Sequence, residues 1–339
     1  MKRPCKKSCQ WKNVLLIIIL SFYGLLSSAS FAYEAATNST TTSLLSTTAS
    51  APISTTTNKI DFPFSSGETL YYKLSYRGLL TSMIWADLAD VKMTYLSNRK
   101  TPNNKNAYQF ELFLSTENYS KAEMFQPVRY TYTTTLDASS QRTVLVEEVD
   151  AGKNQSHKFL WLDWNKKETQ LFKKREKERE TYGFLDMDVR ERWEKDGDQP
   201  VPEFLDDYPL LEDKQTYLIH KESGDKIERS QILDPLSLIY ILRALDFDMH
   251  SEVAKEIAVA ISDDIRLYHV TKIALEKLSI NGELHQGVKY KIQTDEKKDR
   301  FYYVWLSNDE KKIPLRLAMD APLGKLEIDL MKMTQNENN

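Results

Sequence analysis

Apolar and polar residues alternate one by one along most of the chain. Leu70, Tyr72, Leu74 and Tyr76 interleave with Tyr71, Lys73, Ser75 and Arg77. The same period of two recurs at Ala89, Val91, Met93 and Tyr95, at Tyr108, Phe110, Leu112 and Leu114, at Val128, Tyr130 and Tyr132, and at Val144 and Val146. It returns at Ile257, Val259 and Ile261, from Ala274 to Ile280, from Val288 to Ile292, at Phe301, Tyr303 and Trp305, at Ile313, Leu315 and Leu317, and at Leu326, Ile328 and Leu330. A period of two puts alternate side chains on one face of a strand. Phe159 to Trp164 is apolar on both faces. Turn chemistry separates the runs: Thr101–Asn106, Asp137–Gln141, Asn165–Glu168, Asp263-Asp264 and Asn308–Lys311, with Asn281-Gly282 as the favoured type I′ hairpin pair. Val253 to Ala260 also fits a helix. About a dozen strands with mostly short connections predict an antiparallel sheet with one inner face, long enough to curl.

One segment breaks this period. Ser230 to Leu245 carries Leu238, Ile241, Leu242 and Leu245 at helical spacing, widened by Leu236 and Ile239. Asp234 fits the N-cap and Pro235 the first helical position, where a missing N–H costs nothing. Ser237, Tyr240, Arg243 and Ala244 form a narrow mixed stripe. A helix this apolar needs cover on most of its surface. At about 1.5 Å per residue it reaches only ~16 Å, too short to cross a bilayer. The predicted fold is mainly β: a large curved antiparallel sheet, or open half-barrel, wrapped around one apolar helix.

The N-terminus changes the expected compartment. Lys2, Arg3, Lys6, Lys7 and Lys12 precede an apolar run, Val14 to Leu26, and Ser30-Phe31-Ala32 places small residues at a cleavage site after Ala32. Residues 1–32 thus read as a signal peptide and the protein as periplasmic. The alternative is an inner-membrane anchor at residues 14–32. Residues 33–59 form a tether in which fourteen of the 21 residues from Thr37 to Thr57 are Ser or Thr, too polar to offset their ordering entropy. Residues 60–332 are expected to form a single β domain, and 333–339 a polar tail. Cleavage would remove five basic and no acidic residues, taking the formal charge from −3 to −8, and would remove both cysteines, Cys5 and Cys9. The mature chain would hold no disulfide, and an acidic domain is a poor nucleic-acid binder. Lys173–Glu180, with five bases and three acids, reads as a solvated surface, and Gly197–Pro209 as a loop.

Several strings match a family in order along residues 62–332. They are Pro63-Phe64 with Gly67-Glu68, then Asp234-Pro235-Leu236-Ser237-Leu238, then Val304-Trp305-Leu306-Ser307 with Ile313-Pro314-Leu315-Arg316, then Leu323-Gly324. Together they resemble the bacterial DUF3108 family, exported proteins of unknown function. The resemblance implies a Gram-negative envelope location and a mainly β fold, and transfers no catalytic residues. Trp305 reads as core beside Phe301 and Tyr303, and Pro314 as a strand start at an edge. Arg316 points away from Leu315 and Leu317, either into solvent or to an anion in a concave face.

Local catalytic signatures are missing. The chain has no nucleotide-binding glycine fingerprint and no G-x-S-x-G elbow. His157, His220, His250, His269 and His285 lack metal-ligand spacing, and the adjacent acids Asp206-Asp207 and Asp263-Asp264 face opposite ways on any strand. No cofactor, metal or catalytic residue is expected. The favoured expectation is a non-catalytic periplasmic protein that holds a lipid or acyl chain in an aromatic-lined concavity, against Leu236, Tyr240 and Arg243 of the helix and Trp305 and Arg316 of the sheet. The alternatives are an envelope scaffold or assembly factor binding another protein, and a hydrolase without a local motif.

Overall fold

The computed structural model describes residues 63–78, 85–100, 106–125, 127–152, 156–164, 168–173, 216–217, 219–222, 225–228, 231–245, 254–261, 264–294, 301–321 and 324–335. The expected signal peptide, tether, basic-acidic run beyond Lys173 and Pro-containing loop lie outside these residues, as do Asp206, Asp207 and His250. The strands are β1 (Glu68–Gly78), β2 (Trp85–Lys100), β3 (Asn106–Ser115), β4 (Arg129–Asp137), β5 (Thr143–Asp150), β6 (Ser156–Asp163), β7 (Glu168–Lys173), β8 (Thr216–Tyr217), β9 (Ile219–Glu222), β10 (Asp225–Glu228), β11 (Ile232–Leu233), β12 (Lys255–Ile261), β13 (Asp264–Ile280), β14 (Glu283–Thr294), β15 (Phe301–Ser307), β16 (Pro314–Ala321) and β17 (Gly324–Gln335). The helices are α1 (Ser120–Phe125) and α2 (Pro235–Ala244).

Fifteen strands form one sheet in the order β11-β12-β13-β14-β15-β16-β17-β1-β2-β3-β4-β5-β6-β7-β8, and β9 pairs with β10 apart from it. Neighbouring strands in the sheet are antiparallel except for the parallel β11–β12 pair. Pairing of β1 with β17 joins the two halves of the chain at the middle of the sheet. The expectation of a curved, mainly antiparallel sheet around one helix holds. Alternation places Leu70, Tyr72, Leu74, Val91, Met93, Phe110 and Leu112 on the concave face with Val288, Tyr290, Ile292, Val304, Leu306 and Ile328, and all pack in one core with α2. Segment 255–261 is a strand, so strand pairing with β13 wins over its helical spacing.

The sheet also overlaps itself. Val146, Leu160, Leu162 and Leu171 of β5–β7 form a second cluster with Ile232, Ala258, Ala260, Ile265 and Leu267 of β11–β13. On β12, Val259 and Ile261 face α2 while Ala258 and Ala260 face β5–β7. This end of the sheet therefore lies between the helix and the opposite end, and side-chain packing closes the roll there. Phe159 to Leu162 are all buried, as the two-faced apolar run predicts.

The β13–β14 hairpin covers part of the convex face. Asn281 and Gly282 adopt φ 53° and 81°, the left-handed values its turn requires. Beyond the barrel wall, Leu278 and Ile280 pack on Trp305, Leu315 and Ala318 in a third cluster. Asn281 Nδ2 donates to the carbonyls of Leu330 and Met331 at 3.3 and 3.2 Å, tying the hairpin tip to β17. Gly287 is needed at this crossing, since a Cβ there would lie 3.0 Å from Leu278 Cδ1 and 3.3 Å from Trp305 Cβ. Pro314 begins β16 in the sheet interior, not at an edge; it sits opposite Leu306 at a register shift, where the ladder is already interrupted. That shift also turns Leu315 to the convex side with Trp305, so Leu315 and Leu317 do not share a face.

Candidate functional site

Helix α2 is held at both ends. Asp234 is fully buried and caps it, with Oδ1 accepting from the Leu236 and Ser237 amides at 3.0 and 3.1 Å. Its Oδ2 accepts from the hydroxyls of Thr134 at 2.6 Å, Thr143 at 2.8 Å and Ser237. The carboxylate thus joins the helix start to β4 and β5, and the helix dipole favours its charge. At the other end, Arg243 is buried in the last turn. Its guanidinium donates to Glu68 Oε1 at 2.5 Å and Oε2 at 3.1 Å, and to the Lys311 carbonyl at 3.1 and 3.2 Å. Phe64 lies 5.3 Å from the Arg243 guanidinium and 5.4 Å from the Tyr240 ring centroid.

The polar residues of the helix's mixed stripe, Ser237, Tyr240 and Arg243, are therefore buried; the first and last bond within the protein, and the Tyr240 hydroxyl has no hydrogen-bond partner among the described residues. Ser237 bonds Asp234, Arg243 pairs Glu68, and Tyr240 stacks on Phe110 with ring centroids 4.0 Å apart. Burial pushes the Tyr240 hydroxyl far above the usual tyrosine range, so it stays a neutral phenol.

An apolar cavity of about 100 Å³ opens over the N-terminal half of the same helix. Pro235, Leu238 and Ile239 form its floor, and Leu74, Val259, Tyr268, Ile292, Leu317 and Ile328 are among the residues of seven strands that wall it. No charged side chain lines it among the described residues. One water needs only ~10–15 Å³ in a cavity of this kind, so the space suits a short apolar segment and not a whole lipid.

None of the five residues expected to touch a ligand lines this cavity. Leu236, Tyr240 and Arg243 lie on other sides of the helix, in the core and the Glu68 latch. Trp305 is core, as expected, but in the convex cluster, where Nε1 donates to Glu276 Oε2 at 2.8 Å and Lys289 sits 5.0 Å from its ring. Arg316 is on the convex side too, bound to Asp329 through Nε at 2.5 Å and Nη2 at 2.8 Å; it is half-buried in an ion pair on the outer surface and meets no concave-face anion. Sequence reasoning passed over Leu238, Ile239 and Leu317 because apolar residues carry no mark of a site. The cue available was the helix's own most apolar side.

Away from the cavity, β5 places Glu148 between Tyr132 and Lys158. Burial raises its carboxyl to about 7, and Lys158 opposes that rise. A raised carboxyl costs no stability below the unfolded value of ~4.3, costs progressively more up to about 7, and a constant amount above. Glu148→Gln is thus expected to stabilise the protein by on the order of 1–3 kcal/mol at pH 8, the partial exposure of the side chain trimming the full effect, and to change nothing at pH 4. Thermal melts of both proteins across that range check it; equal gains at both pH values would refute it.

No group of His, Cys, Asp and Glu suited to a metal occurs among the described residues. No described helix is long and apolar enough to cross a membrane. The expected motifs now have places: Pro63, Phe64 and Glu68 at the helix C-terminus, Asp234 and Ser237 at its N-terminus, and the 304–316 segment in β15, β16 and the turn whose Lys311 carbonyl meets Arg243.

Residues 212–331 match the family model DUF3108, protein of unknown function. The matched segment supplies β8 to β16, α2 and most of β17. It spans less than the 62–332 over which the motifs run in order, so Pro63 to Glu68 lie before it. No curated protein matches the chain. Among solved structures, a β-barrel-like protein of domain of unknown function DUF1849 from Brucella abortus is similar at 10% identity and a TM-score of 0.42, covering 80% of this chain and 98% of its own. A putative exported protein with a YmcC-like fold from Bacteroides fragilis is similar at 7% identity and a TM-score of 0.24, covering 82% and 100%.

Proposed function

We propose that this DUF3108-containing protein binds a hydrophobic, lipid-like ligand by an apolar segment inserted between α2 and the concave sheet, and does so in the periplasm. The observation that supports binding is the cavity over Leu238 and Ile239, whose wall is apolar apart from tyrosines. Burying a hydrocarbon segment there gains about 25 cal/mol per Å² of apolar area, and no polar wall group must be desolvated unpaired. The periplasmic assignment rests on the basic, apolar and small-residue sequence of residues 2–32. No step of chemistry is proposed; among the described residues the only titratable groups on the cavity wall are its tyrosines.

Native mass spectrometry and solvent extraction of the protein purified from the periplasm test the reading. An apolar small molecule is expected to co-purify. Leu317→Trp, on the partly exposed cavity wall, fills the space and is expected to abolish retention while shifting Tm by only a few degrees. Wild-type protein that carries no ligand and takes up none added overturns the proposal.

A further inference from the structure

Strand β13 has neighbours on both sides along only part of its length. β12 covers residues 264–270, and at Ala254 the chain has left the strand. Along residues 271–280 only β14 lies beside it among the described residues. That leaves about 30 Å of strand edge whose outward N–H and C=O groups have no ladder. Exposed positions alternate along this edge at Ile273, Leu275, Lys277 and Ser279, while Leu278 and Ile280 pack on the barrel wall. Among the described residues, four of the five exposed large apolar side chains belong to this hairpin or to its anchor. They are Ile273 and Leu275 on β13, Leu284 on β14, and Met331 on β17, whose carbonyl holds the hairpin tip. An open backbone edge and an apolar outer face therefore coincide.

We propose that this edge is a docking strand for an extended segment of another protein, which adds antiparallel beside β13. The proposal goes beyond the cavity and is independent of it, since the hairpin lies on the convex side. An added strand satisfies the outward backbone groups together, and both described neighbours of β13 are antiparallel to it. Directly opposed residues share a face. The partner thus needs apolar residues opposite Ile273 and Leu275 and an acid opposite exposed Lys277. Read along an antiparallel partner, the pattern is acid, any, apolar, any, apolar. The bulge at Ile273 and the charge of Lys277 disfavour strands without that acid. A second copy of this chain does not fit the edge. With faces shared, the two-fold axis of such a pair must pass through a residue. An axis between 271 and 275 drives the second copy's Ile280 onto Val270 or beyond, where β12 already sits. An axis at Glu276 or Lys277 opposes like charges, and one farther along pairs only the tip.

Amide hydrogen exchange of the full protein, with and without a synthetic peptide, tests the proposal. The peptide begins with glutamate and then alternates threonine with valine. In the protein alone the outward amides of residues 271–280 are expected to exchange fast at every concentration. The peptide should slow them, and a scrambled peptide of the same composition should not. Leu275→Lys, at an exposed position, should weaken peptide binding about tenfold in a fluorescence titration. Lys277→Glu should shift the preference to a peptide that begins with lysine. Slow exchange without peptide overturns the proposal: if independent of concentration, the chain covers its own edge, and if it grows with concentration, a second copy does. Fast exchange that neither peptide slows, or that both slow equally, overturns it as well. So does peptide binding that Leu275→Lys leaves intact, or a preference that Lys277→Glu leaves unchanged. None of these outcomes bears on whether the cavity retains a ligand.

Discussion

Asp234→Ala is expected to lower the unfolding free energy by about 3–5 kcal/mol, among the largest effects of any single substitution in the protein. An exposed cap is worth about 1 kcal/mol, because water takes over the orphaned amides. Here water is excluded: Asp234, Ser237 and Thr134 are each 0% exposed. Alanine would strand the Leu236 and Ser237 amides and remove the common acceptor of three hydroxyls. The hydroxyls can rotate toward other acceptors, which trims the loss; Thr134 and Ser237 Oγ atoms already lie 3.3 Å apart. Asp234→Asn keeps an acceptor for the amides but presents N–H groups to one side of the cluster, so about half the loss is expected. Urea unfolding at constant m-value measures both, and an alanine variant within about 1 kcal/mol of wild type would falsify the role of this carboxylate.

The same carboxylate explains why the helix can sit in the barrel. Eight consecutive residues of α2, Leu236 to Arg243, are buried, so both helix ends leave backbone groups where water cannot reach. Asp234 answers for the N-terminus and Arg243 places a cation at the C-terminus, in the sense the dipole favours. With both ends tied to the sheet, the flank carrying Leu238 and Ile239 meets the wall across a gap. A core packed to ordinary density would close that gap, so the rigid ends are what can keep it open.

Much of this architecture was legible in the residues. Period-two runs marked the inner face, Asp234-Pro235 marked the helix start, and Asn281-Gly282 marked a hairpin. What could not be read was which face each strand buries twice. Trp305 looks like an inner residue by alternation, yet it is buried by a hairpin that folds back over the convex side. Arg316 is settled by Asp329 in the next strand, and Arg243 by a partner 175 residues away. Of the expected ligand contacts, Tyr240 and Arg243 belong to the helix's mixed stripe, Leu236 to its apolar face, and Trp305 and Arg316 to the sheet. Most buried polar groups are hydrogen-bonded, and the fold itself supplied partners for Ser237 and Arg243, though not for the Tyr240 hydroxyl. The cavity lies instead where the helix has nothing but hydrocarbon, contributed by strands far apart in the chain. The overlap of the sheet's ends left one trace, the two-faced apolar run at Phe159–Trp164, though not the identity of what covers it.

Arg243→Met is expected to cost about 3–5 kcal/mol, and most of that cost should vanish when Glu68 is replaced as well. Methionine preserves the stem's packing against Phe64 and Tyr240, so the loss reports on charge more than on volume. With the guanidinium gone, Glu68, 4% exposed, keeps a carboxylate that neither solvent nor another described cation can reach. Glu68→Met alone leaves Arg243 its bonds to the Lys311 carbonyl, so a smaller loss of about 2–3 kcal/mol is expected. In the double variant no buried charge is left unpaired, and apolar replacements of a buried pair are often near neutral. The cycle should therefore show a coupling of about 2–4 kcal/mol, little changed between low and high salt because the pair is shielded from counterions. Additive losses, or a coupling that fades with salt, would mean that solvent reaches this latch and that the end of α2 frays instead of being clamped to β1.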